Sequence, residues 1–273
     1  MSTTQKIIKY CAIAFACFLI YTILSSIMFG ISSLSNIFDD DINTTNNLEE
    51  TIIKEKNSII EVELVSSELK IYEGDSFKVE TNNKYIQIKE SNEKLYIKEK
   101  KHNIFSDNNK SSVIIYIPKN LVFDSISIES GAGKIDISSL ITKKLDLNLG
   151  AGNVNINNLS VESEAEIDGG AGKLNIINGT INNLDLDMGV GAVKIKSKLT
   201  GNNKIDAGVG EITLNLIGTK DDYKIITDKG IGNIKVDNEN VKENTYYGNG
   251  STIIDIDGGV GSINVNYKQN KTI

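Results

Sequence analysis

Leu184-Asp185-Leu186-Asp187-Met188-Gly189-Val190-Gly191-Ala192-Val193-Lys194-Ile195 reads as two strands joined at a glycine corner. Leu184 and Leu186 alternate with Asp185 and Asp187, the period of two of a half-buried strand. Val193 and Ile195 alternate as well, but on the opposite parity. Such a flip needs a bend or bulge, and glycine tolerates the backbone angles a corner demands.

The pattern recurs along the chain. Gly-x-Gly stands at Gly131/Gly133, Gly150/Gly152, Gly170/Gly172, Gly189/Gly191, Gly208/Gly210, Gly230/Gly232 and Gly259/Gly261. Successive first glycines are 19, 20, 19, 19, 22 and 29 residues apart. A period near 20 residues marks a solenoid. Ahead of each corner come apolar pairs such as Ile126/Ile128, Leu145/Leu147 and Ile254/Ile256; after it come Ile135/Ile137, Val154/Ile156 and Ile263/Val265. The middle residues, Ala132, Ala151, Ala171, Val190, Val209, Ile231 and Val260, share parity with the first pairs and are assigned to the same inward side. Polar returns such as Asn157-Asn158 close each repeat. One repeat cannot bury its apolar side alone, so the repeats must stack. At ~4.8 Å per strand, seven would span roughly 30 Å. A β-sandwich of hairpins is the competing architecture; matching columns favour the solenoid. The stretched last intervals place loops around Asp221–Asp222 and Val241–Gly250.

Upstream, Ile59–Ile117 alternates in short pieces, including Ile60-Glu61-Val62-Glu63-Leu64 and Val113-Ile114-Ile115-Tyr116-Ile117. Turn residues such as Glu73-Gly74-Asp75 separate them, as expected for half-buried strands. Residues 59–124 are assigned to an N-terminal β region that caps the solenoid, 125–267 to the repeats, and 268–273 to a tail. The Ser262–Tyr267 end then has little to cover it, so a homo-oligomer through the solenoid ends is an expectation.

Between Tyr10 and Phe38 no residue is charged. Residues 10–30 are long enough to cross a bilayer as one transmembrane helix, since ~20 apolar residues suffice. Lys6 and Lys9 precede the run and Asp39-Asp40-Asp41 follow it, which leaves 1–9 in the cytoplasm and the rest outside the membrane. A cleaved signal peptide is the alternative, but no clear cleavage site follows. Residues 31–58 read as a polar stalk with a helical stretch around Leu48–Lys56. Cys11 and Cys17 lie within the apolar run, so the exported part has no thiol chemistry. Ala14-Phe15-Ala16 before Cys17 is a poor lipidation signal.

The net charge is −7, which argues against nucleic acid. No arginine is present, so bidentate clamps on phosphate are unavailable. Nucleotide-binding glycine loops lead into helices; here strands follow every copy. Gly169–Gly172 and Gly258–Gly261 are similar to calcium-binding β-roll repeats, but Leu174 and Ile263 stand where those need Asp. One column of outward parity reads Glu129, Asn148, Asp168, Asp187, Asp206, Asp228 and Asp257. It is either an acidic stripe that collects divalent cations or a cationic partner, or a set of side chains bonding the backbone two residues on. A second outward column, Asp136, Asn155, Asn175, Lys194, Thr213, Lys235 and Asn264, reads as a structural ladder. His102 is the lone imidazole and has no identifiable partner; the cluster Lys94, Lys98, Lys100 and Lys101 reads as a solvated edge or a contact to anionic lipid or wall polymer. No catalytic residue, metal ligand or cofactor site is singled out.

An N-terminal apolar helix, a strand-rich start ending in Val113-Ile114-Ile115-Tyr116-Ile117-Pro118, and Gly-x-Gly-x-Ile-x-Ile repeats together resemble a bacterial envelope family, DUF4097, also called "putative adhesin". The resemblance covers about Ile59 to Tyr267. It implies a right-handed, single-stranded β-helix or related β-roll, with no agreed catalytic residues. Some members of that family occur in envelope-stress operons of the Lia type. The expectation is a membrane-anchored, extracytoplasmic scaffold that binds a protein or wall partner, an envelope-stress accessory among the options. A surface adhesin is the alternative, and a polysaccharide-active β-helix enzyme a more distant one.

Overall fold

The structure, a computed structural model, describes residues 48–54, 56–100, 111–241 and 245–268. The expected membrane helix at 10–30, the first part of the stalk and His102 lie outside the described residues. Among the described residues every regular element is a strand. Seven precede the repeats: β1 (Glu49–Ile52), β2 (Ile59–Leu64), β3 (Glu68–Gly74), β4 (Lys78–Thr81), β5 (Ile86–Ser91), β6 (Lys94–Glu99) and β7 (Ser112–Pro118). The repeats supply β8 (Phe123–Ile137), β9 (Leu140–Ile156), β10 (Leu159–Ile176), β11 (Gly179–Asn182), β12 (Leu184–Ile195), β13 (Lys198–Thr200) and β14 (Asn202–Ile217). The last four are β15 (Tyr223–Val236), β16 (Glu239–Asn240), β17 (Thr245–Tyr247) and β18 (Thr252–Lys268). The helical stretch expected near Leu48–Lys56 is instead strand β1, antiparallel to β4.

Each Gly-x-Gly lies inside one bent strand, and the bent strands stack in parallel, in register. Gly133 meets Gly152, Gly152 meets Gly172, then Gly191, Gly210, Gly261 and Gly232 follow. A short third leg, Leu159–Val161 of β10, stacks on β9 and β11, and β11 on β13. A coil is therefore strand, corner, strand, turn and short strand. Alternation puts Leu147, Ile167, Leu186, Ile205 and Ile256 in one buried column and Val154, Leu174, Val193, Ile212 and Ile263 in another. Burying each such side chain is worth about 1.5–3 kcal/mol, so the columns supply the main cohesion between coils. Asn203 interrupts its column, yet its amide is used fully. Its Oδ1 accepts the Leu184 N–H at 3.1 Å, and its Nδ2 donates to the carbonyls of Thr200 and Ile253.

The corner explains both glycines. A Cβ on Gly152 would sit 1.8 Å from the Gly133 carbonyl oxygen, and Gly152 has φ +151°. A Cβ on Gly150 would sit 2.2 Å from the Gly131 oxygen. The middle residue does not join the core as its parity suggested. At the convex vertex two successive residues face outward, the first glycine and the middle one. Ala132 to Val209 are half-exposed, Val260 is 46% exposed and Ile231 73%.

The order of coils departs from the order of the sequence at both ends. β18 lies between β14 and β15, parallel to each. The interval of 22 residues carries the chain past one empty place; the interval of 29 brings it back through β16 and β17. Ser262–Tyr267, expected at the end of the stack, is thus one coil inside it. At the other end β2, Val65-Ser66-Ser67 and β3 form a coil of their own on β8, so stacking starts before the first Gly-x-Gly. β6 and β7 stack outside that coil, which follows them in space and precedes them in sequence.

Candidate functional site

Two outward faces meet at the glycine vertex. On the leg before the corner, Glu63, Glu129, Asn148, Asp168, Asp187, Asp206, Asp257 and Asp228 stand side by side across successive coils. The neighbouring column is Glu61, Ser127, Asp146, Glu166, Asp185, Lys204 and Asp255. Stacking brings like charges within about one strand spacing, ~4.8 Å. Desolvation, then the carboxylates of Asp146, Asp168, Asp185 and Glu164, pushes Glu166 above its usual value. Lys204 is held protonated by its bond to Asp206. Asp146 accepts from Asn148 Nδ2 at 3.1 Å.

The local reading of these aspartates fails at Asp168, Asp187 and Asp257, which take no hydrogen bond from the backbone two residues on. The chain stays extended into the first glycine, so there is no turn for such a bond to close. Among the described residues, no group of three His, Cys, Asp or Glu side chains is placed to hold a metal ion. In-line carboxylates on a flat sheet point away in parallel and do not converge.

The leg after the corner carries the other face. Lys70, Asp136, Asn155, Asn175, Lys194, Thr213, Asn264 and Lys235 form one column. Asn155 Nδ2 donates to Asp136 Oδ1 at 3.1 Å, the kind of link between coils expected of a ladder. Lysines outnumber carboxylates here, so the vertex divides an acidic face from a mixed amide and lysine face.

Of the N-terminal lysine cluster, Lys94 and Lys98 are paired and Lys101 lies outside the described residues. Lys94 bonds Glu61 and lies 4.5 Å from the Tyr96 ring centre; Lys98 bonds Glu63. Glu61 and Glu63 extend the acidic columns by one coil. The alternation Ile60-Glu61-Val62-Glu63-Leu64, which matches Ile126-Ser127-Ile128-Glu129 residue for residue, was the available signal.

Glu99 had no sequence signal. It is 3% exposed, and its Oε2 accepts the N–H groups of Val65, Ser66 and Ser67 at 2.8, 3.1 and 3.2 Å. Asn83 Nδ2 donates to Oε1 at 3.0 Å and also to Ser67 Oγ. Elsewhere a corner N–H meets the carbonyl of the next corner, as Ala132 meets Val65. At the last corner one carboxylate takes that place.

The family whose description reads Toastrack DUF4097 matches residues 41–270. No curated protein matches the chain. Several solved structures are similar, three of them as follows. A "putative cell adhesion protein" from Clostridium sporogenes is 20% identical, with 81% of this chain and 99% of that one covered and a TM-score of 0.41. A "putative adhesin" from Parabacteroides distasonis is 16% identical, covering 81% and 98%, with a TM-score of 0.44. A "putative lipid binding protein" from the same species is 16% identical, covering 81% and 97%, with a TM-score of 0.41.

Proposed function

This chain belongs to the Toastrack DUF4097 family, and on that footing we propose that it is a non-catalytic binding protein of the bacterial cell envelope. In this reading residues 10–30 anchor it in the membrane with the N-terminus in the cytoplasm. The solenoid, wound right-handed as parallel crossovers prefer, stands outside and offers its acidic face to a cationic protein surface. The observation that carries the reading is the unbroken run Asp168, Asp187, Asp206, Asp257 and Asp228, one carboxylate per coil over five coils. Like charges at this spacing oppose folding. A fold that keeps them has a use for the field they make, which steers a partner of opposite charge.

The test is crosslinking and pull-down from intact cells, with the wild-type chain beside Asp168→Asn/Asp187→Asn/Asp257→Asn. Recovery of one membrane protein by the wild type, reduced at least fivefold in the triple variant, supports the reading; a sensor kinase or its accessory would mark an envelope-stress role. Equal recovery by both chains would overturn the acidic face as the contact. The adhesin is the second reading, favoured by the amide and lysine columns, whose side chains suit the hydroxyls and phosphates of a wall polymer. It predicts polymer in the pull-down, and loss of that polymer when Lys194 and Lys235 are changed to Gln.

A further inference from the structure

Two strands of the chain fit the same place. β18 pairs with β14 with Gly261 beside Gly210 and Val260 beside Val209. β15 pairs with β18 in the equivalent register, Gly232 beside Gly261 and Ile231 beside Val260. β15 therefore carries the pattern that the outer edge of β14 accepts: Ile225, Gly230-Ile231-Gly232, Ile234 and Val236. It is also the nearer along the chain: only residues 218–222 separate it from β14, whereas β18 begins at Thr252. Short loops close sooner than long ones.

The composition of the two strands says which one belongs there at equilibrium. Where β18 has Ile256 and Gly258, β15 has Thr227 and Lys229. Thr227 is buried and its hydroxyl already lacks a partner at the outermost coil. With β18 stacked outside it, Thr227 moved one place inward would take the fully buried position of Ile256 between two coils, where a polar group without a partner is costly. Pairing points the same way. β15 uses its outer side for β17 at Ile225–Thr227 and for β16 at Lys235–Val236. If β15 remained on β14, its only other edge would be held by that hairpin and β18 would find none. With β18 between them, all four strands are paired.

We propose that the outer edge of β14 is a strand acceptor with two occupants in turn: β15 docks first, and β18 then displaces it outward as the last step of folding. The C-terminal end is thus a built-in exchange site, where the order of synthesis and the order of stability disagree.

Cysteine pairs at the outward corner positions can report each state in the full chain, in detergent, with Cys11→Ser and Cys17→Ser. Parallel neighbours lie ~4.8 Å apart, within disulfide range. Val209→Cys/Val260→Cys reads the final arrangement and Val209→Cys/Ile231→Cys the early one. Val190→Cys/Ile231→Cys, adjacent in neither, is the control. On refolding from denaturant with oxidant pulses, the 209–231 bond should dominate the earliest samples and fall below about a tenth of them at equilibrium, as the 209–260 bond rises. A 209–231 yield no higher than the control at every time would overturn the proposal. A second variant guards against a transient too short to trap. Thr227→Ile/Lys229→Gly gives β15 the inward residues of β18, and should raise the equilibrium 209–231 yield at least threefold; an unchanged yield would count against interchangeable occupants.

Discussion

The middle coils and the two ends are built on different terms. From β9 to β14 each coil lies between near-copies of itself, and the same three devices serve every time: a glycine corner, two aliphatic columns and an outward polar row. At the ends no copy is available, and individual residues take over. Glu99 stands in for a missing corner, Asn83 holds it, and β5 and β4 cover the two legs of the outermost coil by antiparallel pairing. At the other end β16 and β17 cover parts of β15, while Tyr223 donates to the Ile217 carbonyl at 2.6 Å and stacks on Tyr267. Burial pushes the Tyr223 phenol up to about 12. Repetition specifies the middle; unrepeated residues specify where it stops.

The sharpest way to break this contrast is at the glycines. Gly191→Ala would place a Cβ 1.8 Å from the Gly172 oxygen at φ +151°, between two coils that cannot move apart. The expected loss is about 4 kcal/mol or more, the range kept for severe core faults, read by chemical denaturation. Gly133 has nearly the same φ but faces the Val65-Ser66-Ser67 corner, where its Cβ would meet Ser67 O at 3.2 Å. Gly133→Ala should cost only the backbone strain, about 1–3 kcal/mol. Equal losses would mean that close stacking is not what selects the glycines.

A second test addresses the residue between the glycines. Leu186→Ala in the buried column should cost about 2–5 kcal/mol, while Ile231→Ala, on the exposed vertex, should stay within about 0.5 kcal/mol. A large loss at Ile231 would return the middle residues to the core, where parity alone had put them. At the N-terminal end, Glu99→Ala leaves the N–H groups of half-exposed Val65 and Ser66 and of buried Ser67 without their acceptor, and should cost about 1–3 kcal/mol, the range for a buried group stranded. Hydrogen exchange at Val65, Ser66 and Ser67 should speed up in that variant before exchange in β10 or β12 does.

The coils and the acidic columns were legible because both are periodic. Leu184 to Ile195 already shows strand, corner and strand, and seven copies fix the registers. Parity misled at Ala132 and its equivalents because a convex corner turns two neighbours outward, and counting by twos cannot see that. The coil order at the ends was invisible for another reason. β15 and β18 are nearly equivalent as sequence, so periodicity cannot say which one lies on β14. The clue lay in the connections, where intervals of 22 and 29 break the rule of 19 or 20. Glu99 left no trace because a cap occurs once and its partners, Val65 to Ser67 and Asn83, lie far away in sequence.

The smallest expected effect bears on the acidic face itself. Glu166 has its folded-state value raised, first by desolvation and then by its acidic neighbours. In the window just above the ordinary carboxylate value, the folded chain therefore binds more protons than the unfolded one, and stability falls as pH rises through it. At neutral pH the charge is present and its penalty is complete. Glu166→Gln should then stabilise the fold at pH 7, by less than about 1 kcal/mol for a cross-strand repulsion removed, and the gain should shrink as pH is lowered toward 4. Added salt should shrink it too, since the face is open to solvent. A gain that ignored both pH and salt would come from packing instead. No gain at all would mean that the columns carry no electrostatic strain, and with it would go the argument that a partner is needed to relieve it.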